Sequence, residues 1–292
     1  MLPLPDLSLR QLEYLVAVAS LPTWAAAADQ VGVTPSALSQ GLAELERRVG
    51  VPLFETQGRR RVLRPSAQPV LDHARLVIGS TRDLMTWSER MNGAQTGRIR
   101  LGLIDVAATV YYSEVLRSFR RDHAEVELTL TVAPSSELLA GLVDGHHDLV
   151  VCVEPAQLPA GIEIEPVRDE SLTVYAPLGI EIGDPATWGP WVLFPSSSHT
   201  RQQIEVALRD RGSSLQVAAE SHQPNVLREM VRLGVGWTVL PAVQGPSASQ
   251  ANRGPQIVVR HLVTARRSGA VVDPAVISLA RQIAEGADSA LV

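Results

Sequence analysis

Leu12, Leu15, Val16 and Ala19 recur at helical spacing and predict a first helix over about Leu9–Ser20. An alanine-rich stretch, roughly Trp24 to Val31, predicts a second helix whose small side chains permit close packing. Gly32 supplies a turn, Thr34 is suited to cap the next helix, and Pro35 fits its first position. That third helix is expected to bury Leu38, Leu42, Leu45 and Val49 while presenting Ser36, Ser39, Gln40, Ala43 and Arg47 on the opposite face. Two helices joined by a tight turn in this way predict a helix-turn-helix, with the second helix in the major groove of DNA.

Two short apolar runs within Val51–Leu63 flank a turn ending at Gly58 and predict a β-hairpin. Arg59, Arg60 and Arg61 sit at its tip, as the wing of a winged helix would place them to meet phosphates or a minor groove. From about Ser66 to Met91, Val70, Ala74, Val77, Thr81, Leu84, Ser88 and Met91 alternate at spacings of four and three. This predicts one helix about 40 Å long. Its apolar seam calls for a partner, which a dimerisation helix would supply; a lone exposed helix is the alternative. Asn92–Gly97 breaks the pattern as a hinge.

Beyond the hinge, strand and helix alternate. Strands are expected at Ile99–Ile104, Val126–Val132 and Leu149–Val153, with helices near Thr109–Arg121 and Ser136–Asp144. A second series follows: strands Leu172–Ala176 and Trp191–Phe194, helix Arg201–Asp210, strand Gln216–Ala219, helix Asn225–Leu233 and strand Gly236–Leu240. Such alternation predicts parallel sheets covered by helices, here as two α/β lobes with a cleft between them, and a last helix near Pro274–Glu285 returning to the first lobe. The fold class expected is therefore a multidomain α+β chain. A winged helix-turn-helix occupies residues 1–65, a linker helix and hinge 66–95, and a two-lobed domain 96–292. Lobe I comprises 98–167 plus 261–292, and lobe II 168–260.

Charge sharpens this picture. The net charge of −5 argues against nucleic acid until its distribution is considered. All 26 basic residues are arginine, and residues 1–68 hold seven of them against six acidic residues. Six arginines lie between Glu44 and Arg64, facing three glutamates. A local basic stripe on an acidic protein suits contact with DNA at one end. Thr34, Pro35, Ser36, Ser39 and Gln40 are the candidates for the base-reading end of the helix, where glutamine can pair with adenine. Arg47, Arg59, Arg60, Arg61 and Arg64 are the candidates for the backbone, with Arg64 equally readable as a plain surface charge. No apolar run is long enough for a membrane span, and Met1–Asp6 lacks the marks of a secretion signal, so a cytoplasmic location is expected.

With these motifs in hand, the chain resembles the LysR-type transcriptional regulators over essentially its full length. The resemblance rests on Leu9-Arg-Gln-Leu-Glu-Tyr-Leu15, on Val33-Thr-Pro-Ser-Ala-Leu-Ser-Gln40 leading to Leu45-Glu46, and on Gly50-Val-Pro-Leu-Phe-Glu55. It continues through Leu71-Asp-His-Ala-Arg75, Gly145-His-His-Asp-Leu149 and Gly234-Val-Gly-Trp-Thr-Val-Leu-Pro241. It implies a dimerising linker helix, a two-lobed domain like a periplasmic binding protein, homotetramers on a double-stranded operator, and control by a small-molecule effector. RNA polymerase is a further candidate partner. The chain departs from the family after the wing, where Arg64 and Ala67 stand in place of the usual Thr and Gly.

Three loops lead into helices and so offer free N–H groups: Asp105–Thr109, Ala133–Ser136 and Ser196–Thr200. The resemblance places Ser135 and the Ser196–Thr200 loop at the cleft. Asp105, Thr109, Ser135, Ser197, Ser198 and Thr200 are the effector candidates, against the simpler role of helix capping. Where the family often holds an effector carboxylate with Ser and Thr, this chain has Ile104 and Val106 around Asp105. An anionic effector is then less well served than usual, which favours an apolar effector, a cationic one or an unusual binding mode. Gly234 and Gly236 are expected to permit close strand–helix packing. Cys152, the single cysteine, is expected to be a buried inert thiol rather than a redox switch, and adjacent His146 and His147 are not expected to share a metal. No cofactor is expected. A solute-binding protein would leave the N-terminal module without a role, and no Gly-rich phosphate loop or nucleophile elbow supports an enzyme.

Overall fold

Helical periodicity near the N-terminus becomes three short helices and a long one: α1 (Leu9–Ser20), α2 (Trp24–Gln30), α3 (Pro35–Val49) and, after the hairpin β1 (Phe54–Gln57) and β2 (Arg60–Leu63), α4 (Gln68–Met91). The computed structural model describes residues 6–58, 60–91, 97–270 and 273–289. The chain divides into two compact units, of which the first holds α1–α4 and the hairpin. Leu12 and Leu15 of α1, Ala27 and Ala28 of α2, and Leu38, Leu42 and Leu45 of α3 meet Leu71, Ala74 and Ile78 of α4 in one buried cluster. Val49, expected inside, is only half-buried. Farther along α4, Leu84, Met85 and Trp87 are exposed. Of the hinge predicted at 92–97, only Gly97 lies within the described residues.

The second unit is built on β3 (Arg98–Leu103), β4 (Glu127–Val132), β5 (Leu149–Val153), β6 (Ile162–Pro177), β7 (Trp191–Leu193), β8 (Val217–Glu220), β9 (Thr238–Pro241) and β10 (Ala251–Arg267). Its helices are α5 (Ser113–Asp122), α6 (Ser135–Val143), α7 (His199–Arg209), α8 (Pro224–Arg232) and α9 (Pro274–Ser289). A separate π-helical turn, Ala107–Tyr111, replaces the start of the helix expected from Thr109. Strands β3, β4 and β5 pair in parallel, as do β7 and β8. The expectation of purely parallel sheets fails at β6 and β10. These two strands, 16 and 17 residues long, run antiparallel along almost their entire length. One end of β10 pairs with β5 and one end of β6 with β9, so a single six-stranded sheet, ordered β4-β3-β5-β10-β6-β9, passes through both lobes. Only Leu172–Ala176 of this pair was legible as strand. Gly254 and Pro255 interrupt the alternation in β10, where the register shifts, and Pro166 interrupts it in β6.

Lobe I packs Leu101, Leu103, Phe119, Leu138, Leu142, Val150, Val151, Leu279 and Ile283 away from solvent. The start of β3 is tied to β5 by Asp148, which accepts from the Arg100 N–H at 2.7 Å and from its guanidinium at 2.6 Å. In lobe II, Trp188, Trp191 and Trp237 form a buried cluster with ring centroids 6.0 to 6.4 Å apart. Gly236 makes this possible: a Cβ there would stand 2.5 Å from the Pro190 carbonyl oxygen, to which the Trp237 N–H donates at 2.7 Å. The close approach is between the segments leading into β9 and β7, not between strand and helix as expected. Gly236→Ala is expected to destabilise the second unit by about 1–3 kcal/mol, because backbone cannot move aside for the added methyl. Urea unfolding followed by tryptophan fluorescence measures it, and an unchanged midpoint would contradict the packing argument.

Candidate functional site

Helix α3 is set by its start. Thr34 caps it, its Oγ1 accepting from the Ala37 N–H at 3.2 Å, and Pro35 takes the first helical position. The Thr34 and Ser36 hydroxyls lie 3.1 Å apart. With the leucine stripe turned into the core, Thr34, Pro35, Ser36, Gln40, Ala43 and Arg47 are exposed and Ser39 is half-buried. Gly41 allows the packing beneath, since a Cβ there would stand 2.7 Å from the Tyr14 ring of α1. Gly50, in the left-handed region at φ 79°, ends the helix. Toward that end Glu44 is shared by two arginines: Arg47 Nε donates to it at 2.8 Å and Arg48 Nε at 2.5 Å. These hydrogen bonds hold the Glu44 carboxyl down to about 2.

The hairpin pairs Phe54 with Leu63 through Gln57 with Arg60. Arg59 lies outside the described residues, as does the side chain of Arg60. Arg61 and Arg64, expected to meet phosphates, both have partners within the unit. Arg61 donates to Glu46 at 2.9 Å and lies over the rings of Trp24 and Phe54 at 5.0 and 4.9 Å. Arg64 Nε donates to the Phe54 carbonyl at 3.0 Å. Sequence reasoning missed Glu46, whose other carboxylate oxygen accepts from the N–H groups of Leu53 and Phe54 at 2.8 and 3.1 Å. One side chain of α3 therefore fixes the base of the wing. Its signal was an acid just before the turn, followed by an arginine across the hairpin.

The second unit encloses a cavity of about 370 Å³. Of the six predicted effector residues, Asp105, Ser135, Ser198 and Thr200 line it, while Thr109 and Ser197 do not. Thr109 is exposed and its hydroxyl donates to the Asp105 carbonyl at 2.8 Å, so it serves its own helical turn. Ser197 is exposed one residue before the loop reaches the wall. Ser135 spends part of its capacity on structure, its Oγ accepting from the Val153 N–H at 3.1 Å.

The floor is apolar, with Ile104, Val106, Val132, Val153 and Phe194. His199, His222, Gln223, Asn225, Gln244 and Arg260 complete the polar wall. Arg260 and Gln244 were missed because each comes from a segment not read as part of the site. Gln244 Nε2 donates to Asp105 Oδ1 at 2.6 Å across 139 residues of sequence. Arg260 is buried and faces its ladder partner Glu170, with Nε and Nη2 each 2.5 Å from Glu170 Oε2 and Nη1 2.7 Å from Thr200 Oγ1. The Tyr111 hydroxyl donates to Glu170 at 2.5 Å, and burial together with that carboxylate pushes the phenol upward. Cys152 lies fully buried on β5, and desolvation raises its thiol to about 12.

Comparison with known proteins agrees with this division. Residues 9–68 match the bacterial regulatory helix-turn-helix protein, lysR family, and residues 92–288 match the LysR substrate binding domain. A RuBisCO operon transcriptional regulator of Allochromatium vinosum is 27% identical over 242 residues, covering 80% of this chain and 79% of that protein. A full-length OxyR variant from Pseudomonas aeruginosa superposes with a TM-score of 0.61 at 19% identity, covering 97% of this chain and 95% of that one. Full-length CbnR complexed with its target DNA gives 0.56 at 20% identity, covering 96% and 100%. Both structures share the fold. The chain belongs to the LysR family of transcriptional regulators, with an N-terminal helix-turn-helix domain that binds DNA and a C-terminal effector-binding domain.

Proposed function

We propose that α3 reads a double-stranded operator through its first two turns. Thr34, Pro35, Ser36, Ser39 and Gln40 face base edges, and Arg47, Arg59 and Arg60 meet phosphates. The observation carrying this reading is the polar, exposed start of α3 opposite a fully buried leucine stripe. Arg61 and Arg64 then act mainly by holding the wing in shape. The exposed Leu84, Met85 and Trp87 of α4 support a homodimer through that helix, and the family supports a homotetramer. Such symmetry implies a partly palindromic operator. A small molecule in the cavity shifts the population of lobe arrangements, and with it the shape of the oligomer on DNA. The protein acts as a regulator without an enzymatic step, in the cytoplasm, with RNA polymerase as a further partner.

Gln40→Ala is expected to relax sequence preference at one operator position, by about 1–3 kcal/mol of discrimination. Arg60→Ala is expected to weaken binding to all duplexes about equally and to lower the salt slope by about one. Footprints and salt titrations check both, and unchanged behaviour in both variants would sink the assignment. Cys152 is expected to stay unmodified by iodoacetamide until the chain is unfolded, since burial suppresses its thiolate. Peroxide should accordingly leave operator affinity unaltered in a gel-shift titration, and a thiol-dependent change would contradict this.

A further inference from the structure

The charges around the cavity constrain what can occupy it. Two fixed charges line the wall, Asp105 and Arg260. Arg260 is spoken for: three of its nitrogens are directed at Glu170 and Thr200, and the buried Glu170 carboxylate cancels its charge. Asp105 differs. It is exposed, its Oδ1 receives only the neutral Gln244 amide, and no cation among the described residues pairs with it. Its neighbours Ile104 and Val106 are buried and apolar, so the loop itself offers a carboxylate and no side-chain donor. Asp105 is thus the one carboxylate of the lining without a cationic partner among the described residues. A carboxylate brought against it would meet like-charge repulsion, whereas an ammonium supplies the missing counter-ion.

We infer that the cavity takes a small ligand bearing a protonated amine, which binds Asp105 from inside the cavity. This deepens, and rests on, the reading of the cavity as the effector site. The volume suits a compact metabolite, and the apolar floor suits a partly hydrocarbon body. Ser198, Asn225 and Gln223 provide neutral partners for its remaining polar groups. The ammonium competes with the Gln244 amide for the same carboxylate. Asp105 follows β3, and Gln244 follows β9, on the other lobe. Arrival of the amine therefore exchanges a bond between lobes for bonds to the ligand.

The test uses full-length protein and three probes sharing one ring: cyclohexylammonium, cyclohexanol and cyclohexanecarboxylate. Thermal unfolding and calorimetry at millimolar probe are expected to show stabilisation by the amine alone. Asp105→Asn should weaken amine binding about tenfold or more, the loss typical of a hydrogen bond to a charged group. Gln244→Ala removes the competing donor and should leave amine binding intact or tighter. The inference is overturned if the carboxylate stabilises and the amine does not, if no amine response is found, or if that response survives Asp105→Asn. Operator binding, measured on the same preparations without probe, separates the two readings. Intact footprints with no amine response defeat only this inference, while absence of any specific footprint defeats the regulator assignment.

Discussion

The antiparallel ladder between β6 and β10 underlies the whole second unit. It runs from Ala251 opposite Pro177 to Arg267 opposite Ile162, so its two halves serve different lobes. At its middle Glu170 and Arg260 stand opposite each other, both nearly excluded from water. A buried pair of this kind contributes little net stability, because desolvation offsets attraction; stranding either charge alone costs several kcal/mol. The pair therefore fixes arrangement more than it adds energy. Tyr111 from one lobe and Thr200 from the other complete its hydrogen bonds, so the lobes meet at a fully engaged polar centre beside the cavity.

The first unit meets a related demand by different means. Its helix α3 keeps a polar face exposed while remaining rigid. Burial of Leu38, Leu42 and Leu45 supplies the rigidity, and Gly41 lets the Tyr14 ring of α1 lie against the helix. Glu46 extends that order into the hairpin by binding two backbone N–H groups and the Arg61 guanidinium at once. Trp24 closes the arrangement from α2, its ring edge-on to Phe54 at 5.1 Å and its indole N–H donating to the Arg61 carbonyl at 3.3 Å. The wing is thus held by Trp24 of α2 and Glu46 of α3.

The exposed face of α3 was legible from sequence because it depends on contacts within a few residues. Thr34 and Pro35 mark a helix start because an apolar-periodic run follows them, and a three-four leucine spacing states which face is buried. The cavity was legible only in part. Ser135, Ser198 and Asp105 stand where a strand gives way to a helix, a local signal. Arg260 and Gln244 lie in stretches with no such signal, and they reach the wall only through pairing and contact across long sequence separations. Arg61 and Arg64 show the converse case. Charge and position suggested phosphate contacts, but the nearest carboxylate, rings and carbonyl are partners that no local pattern reveals.

Local pattern alone specified the helix-turn-helix, the hairpin, the long fourth helix and the alternation of strand and helix, since periodicity and capping are properties of neighbouring residues. It also isolated Asp105 as an acid between two apolar residues. Tertiary structure decided that β6 and β10 pair across both lobes, that Glu170 neutralises Arg260, and that Gln244 meets Asp105. Strand partners and ion pairs are chosen by which surfaces become buried together, and that choice exists only once the chain has folded.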